Sequence, residues 1–383
     1  MKRIVCFLLV VAAALLAMPV FAQEYTNRRE VMQDEALRQD FNLQGEYHII
    51  VAGEKVAGLH LIADGGGKFR FVVYIGGLPG DGWRAGDARL LGTAKVEGEE
   101  LLFTVTEQSG TQDLPIPDKI EAKGKITIEQ PQRPEGGQGA GQGGGQGAAR
   151  RAFRGPSVKI EIGGKGDIPG LFIEKQYRTS PTLGEQPPEG AVVIFDGTNL
   201  DNFMPGAKMN EMPQTGQGQR PAGRGNTLWA EAASKPFENK PYKMHIEFML
   251  SYMPQAKGQA RSNSGVYIGE MYECQVLDSF GLEGKDNECG GFYQASKPKV
   301  NMCFPPLTWQ TYDIDYTPPK FEDGKKTANA KISVKHNGVV IHDNLEMAKE
   351  TPGRKKEADE PRGVYLQGHG NKVQYRNIWI QYK

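Results

Sequence analysis

Apolar and polar positions alternate along most of this chain in short runs, with the period of a strand and not of a helix. Residues 47–51, 58–62, 68–75, 88–96 and 101–106 carry β-branched and aromatic side chains in that order, separated by Gly, Pro, Asp and Asn, and 120–128, 157–162 and 171–177 extend the series. The pattern predicts a small antiparallel β domain of about eight strands. Ahead of it, residues 23–42 predict a short helix, with Asn27 placed to cap it and Glu30 following at capping-box spacing.

A second β-rich stretch opens at Ala191 with an apolar run over 191–195, closed by the turn Asp196-Gly197. Along 242–250, Met244, Ile246, Phe248 and Leu250 fall on one face and His245, Glu247 and Met249 on the other. Further strands are expected at 265–268, 272–277, 363–367 and 373–382. Residues 331–334 and 339–341 flank Asn337-Gly338, the strongest hairpin signal in the chain. Nothing alternates strand with helix. The expected fold class is therefore all-β: an antiparallel β-sandwich of jelly-roll kind over 191–383, preceded by the smaller antiparallel β domain and its helix over 23–180. Residues 181–190, with Pro181, Pro187 and Pro188, read as the linker.

Composition modifies this map. Two Gly-rich tracts, 136–149 and 214–226, cannot bury enough apolar surface to order themselves, and the first is read as a disordered insertion in the β series. Lys2 and Arg3, an apolar run over 4–18 and the small-residue site ending at Ala22 read as a signal peptide, 1–22. The expected product is exported, periplasmic or extracellular, after cleavage near Ala22. That run falls short of the roughly 20 residues of a membrane span, and no later segment reads as a span. Lys plus Arg total 46, as do Asp plus Glu, and a net charge of zero argues against nucleic acid as a partner. Three cysteines follow the signal. Cys274 alternates with Tyr272 and Val276 and reads as a buried thiol, whereas Cys289 and Cys303 are expected to form a disulfide.

The catalytic patterns of common hydrolases are missing. The chain has no G-x-S-x-G elbow and no H-E-x-x-H helix, and the glycines at 76, 77 and 80 read as turns. Glu273 and Gln275 share a strand face, but Gln275 stands where a paired-carboxylate glycosidase would need its second acid, and Asp278 falls on the opposite face unless a bulge intervenes. What remains is a dispersed polar set: Arg261, Asn263 and Ser264, then Glu273 and Gln275, then Gln367, His369 and Arg376. Tyr267, Tyr293 and Trp309 could stack on sugar rings.

Several ordered motifs resemble the 3-keto-disaccharide hydrolase domain family. They are Phe195-Asp-Gly-Thr-Asn-Leu200, Arg261-Ser-Asn-Ser-Gly-Val-Tyr-Ile268, Tyr272-Glu-Cys-Gln-Val-Leu-Asp278, Glu288-Cys-Gly-Gly-Phe-Tyr293, Trp309-Gln-Thr-Tyr-Asp313, Gly363-Val-Tyr-Leu-Gln-Gly-His-Gly370 and Tyr375-Arg-Asn-Ile-Trp379. Together they cover about half the chain, residues 190–383. The resemblance implies a concanavalin-like jelly roll acting on a small oligosaccharide or 3-keto-glycoside, by hydrolysis or by 1,2-elimination and hydration. It also implies a divalent metal in some members; no nucleotide or organic cofactor is expected. Gly368 departs from the family pattern, which often has Asp there. Such chemistry suits the residues. A C3 ketone acidifies the C2 proton, so a single base can remove it while the C1 substituent leaves. Glu273 or His369 is the expected base, with Arg261, Arg376 or a metal as stabiliser. Arg261, Asn263, Tyr267, Gln275, Tyr293, Gln367 and Arg376 are the expected substrate-binding residues. The alternative is a lectin-like module of the cell envelope that binds sugar without turnover.

Overall fold

The structure, a computed structural model, describes residues 22–110, 120–130, 155–163, 170–211 and 226–383. The signal segment and both Gly-rich tracts, read at the sequence level as cleaved and disordered, lie outside these residues apart from their end positions Ala22 and Asn226. Among the described residues no helix is long and apolar enough to cross a membrane.

Two helices replace the one expected, Arg28–Gln33 and Glu35–Leu43. Asn27 caps the first by accepting from Glu30 N at 3.0 Å. Asp34 takes an extended conformation between them and accepts from Ala36 N at 3.1 Å. A short acceptor at that position caps a new helix more readily than it continues an old one.

The first β series closes on itself. Strands Gly45–Val51, Glu54–Gly65, Lys68–Ile75, Arg89–Glu97, Glu100–Ser109, Ile120–Glu129, Ser157–Gly163 and Phe172–Gln176 each pair with the next, and the last pairs antiparallel with the first. An up-and-down barrel of this size leaves no free sheet edge and fills its interior with side chains. Tyr47, Leu59, Leu61, Phe69, Phe71, Phe103 and Ile160 form that core, joined by Val31, Leu37 and Leu43 of the helices.

The second unit is the expected antiparallel β-sandwich. Its larger sheet runs Met209–Asn210, Thr227–Trp229, Gln374–Tyr382, Tyr242–Met249, Trp309–Thr317, Ala330–His336, Val339–Met347, with Val192–Phe195 also pairing to Gln374–Tyr382. The smaller sheet runs Ala232–Ala233, Tyr365–Leu366, Asn263–Ile268, Tyr272–Leu277. The alternation in 242–250 holds: Met244, Ile246, Phe248 and Leu250 are buried in the core between the sheets, with Val266, Tyr272, Cys274 and Val276 from the smaller sheet. The hairpin forms with Asn337 and Gly338 at φ 50° and 82°, the pair of positive angles a type I′ turn requires.

Barrel and sandwich are joined by buried charge. Arg178 forks onto Glu46 and donates to Pro79 O at 2.7 Å while its guanidinium sits over the Phe304 ring. His60, 3.2 Å from Glu46, stacks on Phe280 of the sandwich with ring centroids 4.4 Å apart. Burial pushes the Glu46 carboxyl up, but Arg178 and His60 outweigh it and hold the group down at about 2.

The anticipated disulfide is absent. Cys274, Cys289 and Cys303 are all free and buried. The sulfurs of Cys289 and Cys303 face each other as thiols in the core, each occupied otherwise: Cys289 Sγ is 3.2 Å from Tyr312 Oη, and Cys303 Sγ is 3.5 Å from Leu277 O and Phe304 O. Nearness in the core does not by itself supply the bonding geometry of a disulfide.

Candidate functional site

The antiparallel register of the smaller sheet decides which side chains meet. Tyr267 lies opposite Glu273 and Gly265 opposite Gln275 on neighbouring strands, and Tyr365 lies opposite Tyr267 on the other side. Paired residues point to one face. Tyr272, Cys274, Val276, Val266 and Leu366 enter the core, so Asn263, Tyr267, Glu273, Gln275 and Tyr365 share the other face. The isolated bridge from Cys274 to Phe292 adds Tyr293 beside Glu273.

Glu273 is the centre of this row. Tyr267 Oη donates to its Oε2 at 2.9 Å, and the Gln367 side chain also bonds to it. Tyr267 Oη is 2.9 Å from the carboxylate, 3.0 Å from Pro352 O and 3.5 Å from Gln367 Nε2. Gln275 lies 3.3 Å from Glu273 Oε1, and with its amide nitrogen turned to that oxygen it also donates to Ser264 O at 2.6 Å. Gln259 extends the row, accepting from Asn263 Nδ2 at 3.1 Å. Two acceptors, Asn263 Oδ1 and Gln367 Oε1, are buried without a hydrogen-bond partner. Burial pushes the Glu273 carboxyl up to about 7, against the smaller downward pull of Tyr267 and Gln367.

Gly265 makes this packing possible. A Cβ at that position would stand 2.5 Å from Glu273 Oε1, so only a hydrogen fits beneath the carboxylate. On the open side a strap closes over it. Thr351 Oγ1 accepts from Glu273 N at 2.7 Å, and Arg354 lies over the Tyr365 ring at 3.9 Å while pairing with Glu270 at 2.9 Å. Glu273 is therefore 3% exposed, whereas its strand face alone would have left it open to solvent; Tyr293, Tyr365 and Gln367 beside it are half-buried.

The other expected residues separate. His369 stands exposed in the loop beyond Gln367 and takes no part in the bonds that fix Glu273. Arg261 leaves the group: its Nε is bound to Asp278 Oδ2 at 2.6 Å and its Nη1 reaches Ala63 O of the barrel at 3.4 Å. Arg376 belongs to the larger sheet, on the face turned away from the core, where its Nε meets Glu247 at 2.6 Å and its guanidinium stacks on Trp309 at 4.0 Å. Both arginines are thus paired with acids at a distance from the Glu273 face, and Trp309 goes with Arg376. The strand pattern could not show this, because the arginines' partners come from other strands. Gln259, Thr351 and Arg354 were missed for a related reason: they sit on turns and a strap, where no period marks a face.

The outer face of the larger sheet holds a second polar cluster. Ligand atoms of Glu185, His245 and Asp313 lie within 4.8 Å of one another, the spacing a metal ion would need. The ring is already committed. His245 Nδ1 is 2.6 Å from Asp313 and Nε2 is 3.5 Å from Glu247. Burial draws the imidazole down, but these two carboxylates outweigh it and lift it to about 9, so at neutral pH it is a cation between two acids. A metal needs a neutral ring nitrogen. Without an ion these groups form an ion-pair network; a divalent metal on Glu185, His245 and Asp313 would have to displace that proton, and the cluster lies on the other sheet from Glu273.

The family described as the 3-keto-alpha-glucoside-1,2-lyase-like domain matches residues 190–381. The chain belongs to this family. The matched span of the 3-keto-alpha-glucoside-1,2-lyase-like domain is the sandwich together with the last residue of the preceding segment, and it contains Glu273 and every residue around it; the barrel lies outside it. Two crystal structures of candidate glycosyl hydrolases from Parabacteroides distasonis ATCC 8503 are similar to this chain. One, at 2.13 Å, is 27% identical with a TM-score of 0.42, covering 51% of this chain and 85% of that one. The other, at 1.70 Å, is 15% identical with a TM-score of 0.30, covering 51% and 94%. A search of curated proteins finds no match.

Proposed function

We propose that this protein cleaves 3-keto-glycosides by removing the C2 proton with Glu273, followed by departure of the C1 substituent and addition of water. The observation that carries the reading is the Glu273 carboxyl, buried, raised to about 7 and surrounded by hydrogen-bond donors. A base poised near neutral pH is the form general-base catalysis favours.

The proton at C2 passes to a Glu273 oxygen, the electron pair moves toward the C3 ketone, and negative charge develops on the ketone oxygen. Tyr267 Oη and the Gln367 amide stand beside Glu273 and are the donors suited to that oxygen. The electron pair then returns from the ketone oxygen as the C1–O bond breaks, and the departing oxygen takes the proton held by Glu273 and leaves as the alcohol; water adding across the resulting double bond, OH to C1 and H to C2, restores the 3-keto sugar. The unpartnered acceptors Asn263 Oδ1 and Gln367 Oε1 suit sugar hydroxyls, and the half-buried Tyr293 offers a ring face. A divalent metal, where a family member uses one, would polarise the ketone oxygen. The residues around Glu273 are amides, phenols and one carboxylate, so here the derived steps rest on the chain's own donors. Export to the periplasm or beyond, through the segment ending at Ala22, belongs to the same proposal.

The test is incubation with a 3-keto disaccharide and its unoxidised parent. Release of free sugar, or of a 2-hydroxy-3-ketoglucal, from the keto form alone supports the reading. Saturable binding of either sugar with no product over hours would replace it with a lectin-like module.

A further inference from the structure

A cavity of about 170 Å³ lies where barrel and sandwich meet, lined by Arg70, Lys257, Arg261, Asp278, Phe280 and Leu282. Three of these are cations and one is an acid. The acid is already used: Asp278 takes Arg261 Nε at 2.6 Å and lies 3.4 Å from Phe280 N. The cations are used only in part, although Arg261 Nη1 also lies 3.8 Å from Asp64. Arg261 is 3% exposed, and its Nη2 is buried with no hydrogen-bond partner. Arg70 spends only Nε, at 3.1 Å from each oxygen of Asp64. Among the described contacts its terminal nitrogens and Lys257 Nζ meet no acceptor.

A buried guanidinium nitrogen without an acceptor is unfavourable, and native structures rarely leave one so without a reason. Guanidinium forks match the paired oxygens of carboxylate, phosphate and sulfate. Phe280 and Leu282 supply an apolar wall that strengthens such pairing. The volume is small beside the roughly 300–1,000 Å³ of pockets that enclose drug-sized ligands, and it suits one oxyanion group.

We propose that this junction binds an oxyanion, either free or as the acidic group of a saccharide, held by Arg261, Arg70 and Lys257. The inference stands apart from the reading of Glu273, since no residue is shared. It does have a route to that site. Gly258–Ala260 is a single helical turn; Lys257 precedes it at the cavity, and Gln259 within it bonds Asn263 and Gln275 on the Glu273 face. An anion on Lys257 would therefore steady the turn that carries Gln259.

The experiment is calorimetric titration of the full chain with phosphate, sulfate and glucuronate at fixed ionic strength, with glucose as the neutral control. Saturable binding of at least one anion, with none of glucose, is expected. Binding of phosphate or sulfate alone identifies a free oxyanion, and binding of glucuronate alone identifies a saccharide's acidic group; either supports the site. Lys257→Glu, at an exposed side chain, and Arg70→Gln should each weaken binding about tenfold or more, the effect of losing one charge-assisted contact. No saturable binding of any of the three anions, or unchanged affinity in both variants with native circular dichroism, would overturn the proposal.

Discussion

Glu273 is held where ionising a carboxylate is unfavourable, and that has opposite consequences for stability and for turnover. Its folded pKa, about 7, stands above its ordinary 4.5, so its contribution to stability is fully present below pH 4.5 and is lost as pH rises through 7. Glu273→Gln keeps the shape and removes the charge. The variant should unfold at higher urea than the parent at pH 8, by roughly 1–3 kcal/mol, with the gap closing at pH 4. It should also lose all release of sugar from a 3-keto disaccharide. In the parent protein that release should climb through a single limb near pH 7, where the base ionises. Gly265→Ala is the complementary change. Its methyl would enter the space of Oε1, so activity should fall at least about tenfold while the circular dichroism spectrum stays native. A Gly265→Ala protein with full activity would show that the carboxylate position does not matter.

At the level of elements, period-two alternation identified the strand face correctly for Glu273 and Gln275, because the other face of their strand is claimed by the core. It also recovered the hairpin at Asn337-Gly338. Asn337 does more than adopt a positive φ: its Oδ1 accepts from Thr311 N at 3.1 Å and its Nδ2 donates to Met302 O at 2.8 Å. Asn337→Ala should therefore cost about 2–3 kcal/mol in urea unfolding, more than loss of turn preference alone. Two features were beyond a pattern of this kind. Barrel closure depends on pairing Phe172–Gln176 with Gly45–Val51, more than 100 residues apart, and alternation is the same for an open or a closed sheet. The pairing of Arg261 with Asp278 and of Arg376 with Glu247 is the other, because it depends on geometry across strands that spacing does not carry.

Across the whole molecule, the barrel and the sandwich share buried charges, so they should lose structure together. Glu46→Gln would leave Arg178 unpaired inside the junction, at a cost of about 3–5 kcal/mol. Calorimetry should then show two transitions where the parent shows one. Acid should do the same by titration: the Glu46 contribution is present above its ordinary 4.5 and is lost as pH falls toward 2. The segment between the two units is also engaged. Ser180 and Thr182 bond Thr311, Thr182 donates to Asp313 at 2.7 Å, Gly184 N donates to Glu247 at 2.6 Å and Glu185 O accepts from Asn377. These residues cover His245, Glu247 and Asp313 on the back of the larger sheet. The family match starts at residue 190 and so excludes every one of them. A polypeptide trimmed to that boundary would bare a hydrated cage of opposite charges in place of a sealed one, and recombinant yield should recover when the N-terminal cut moves back to residue 179.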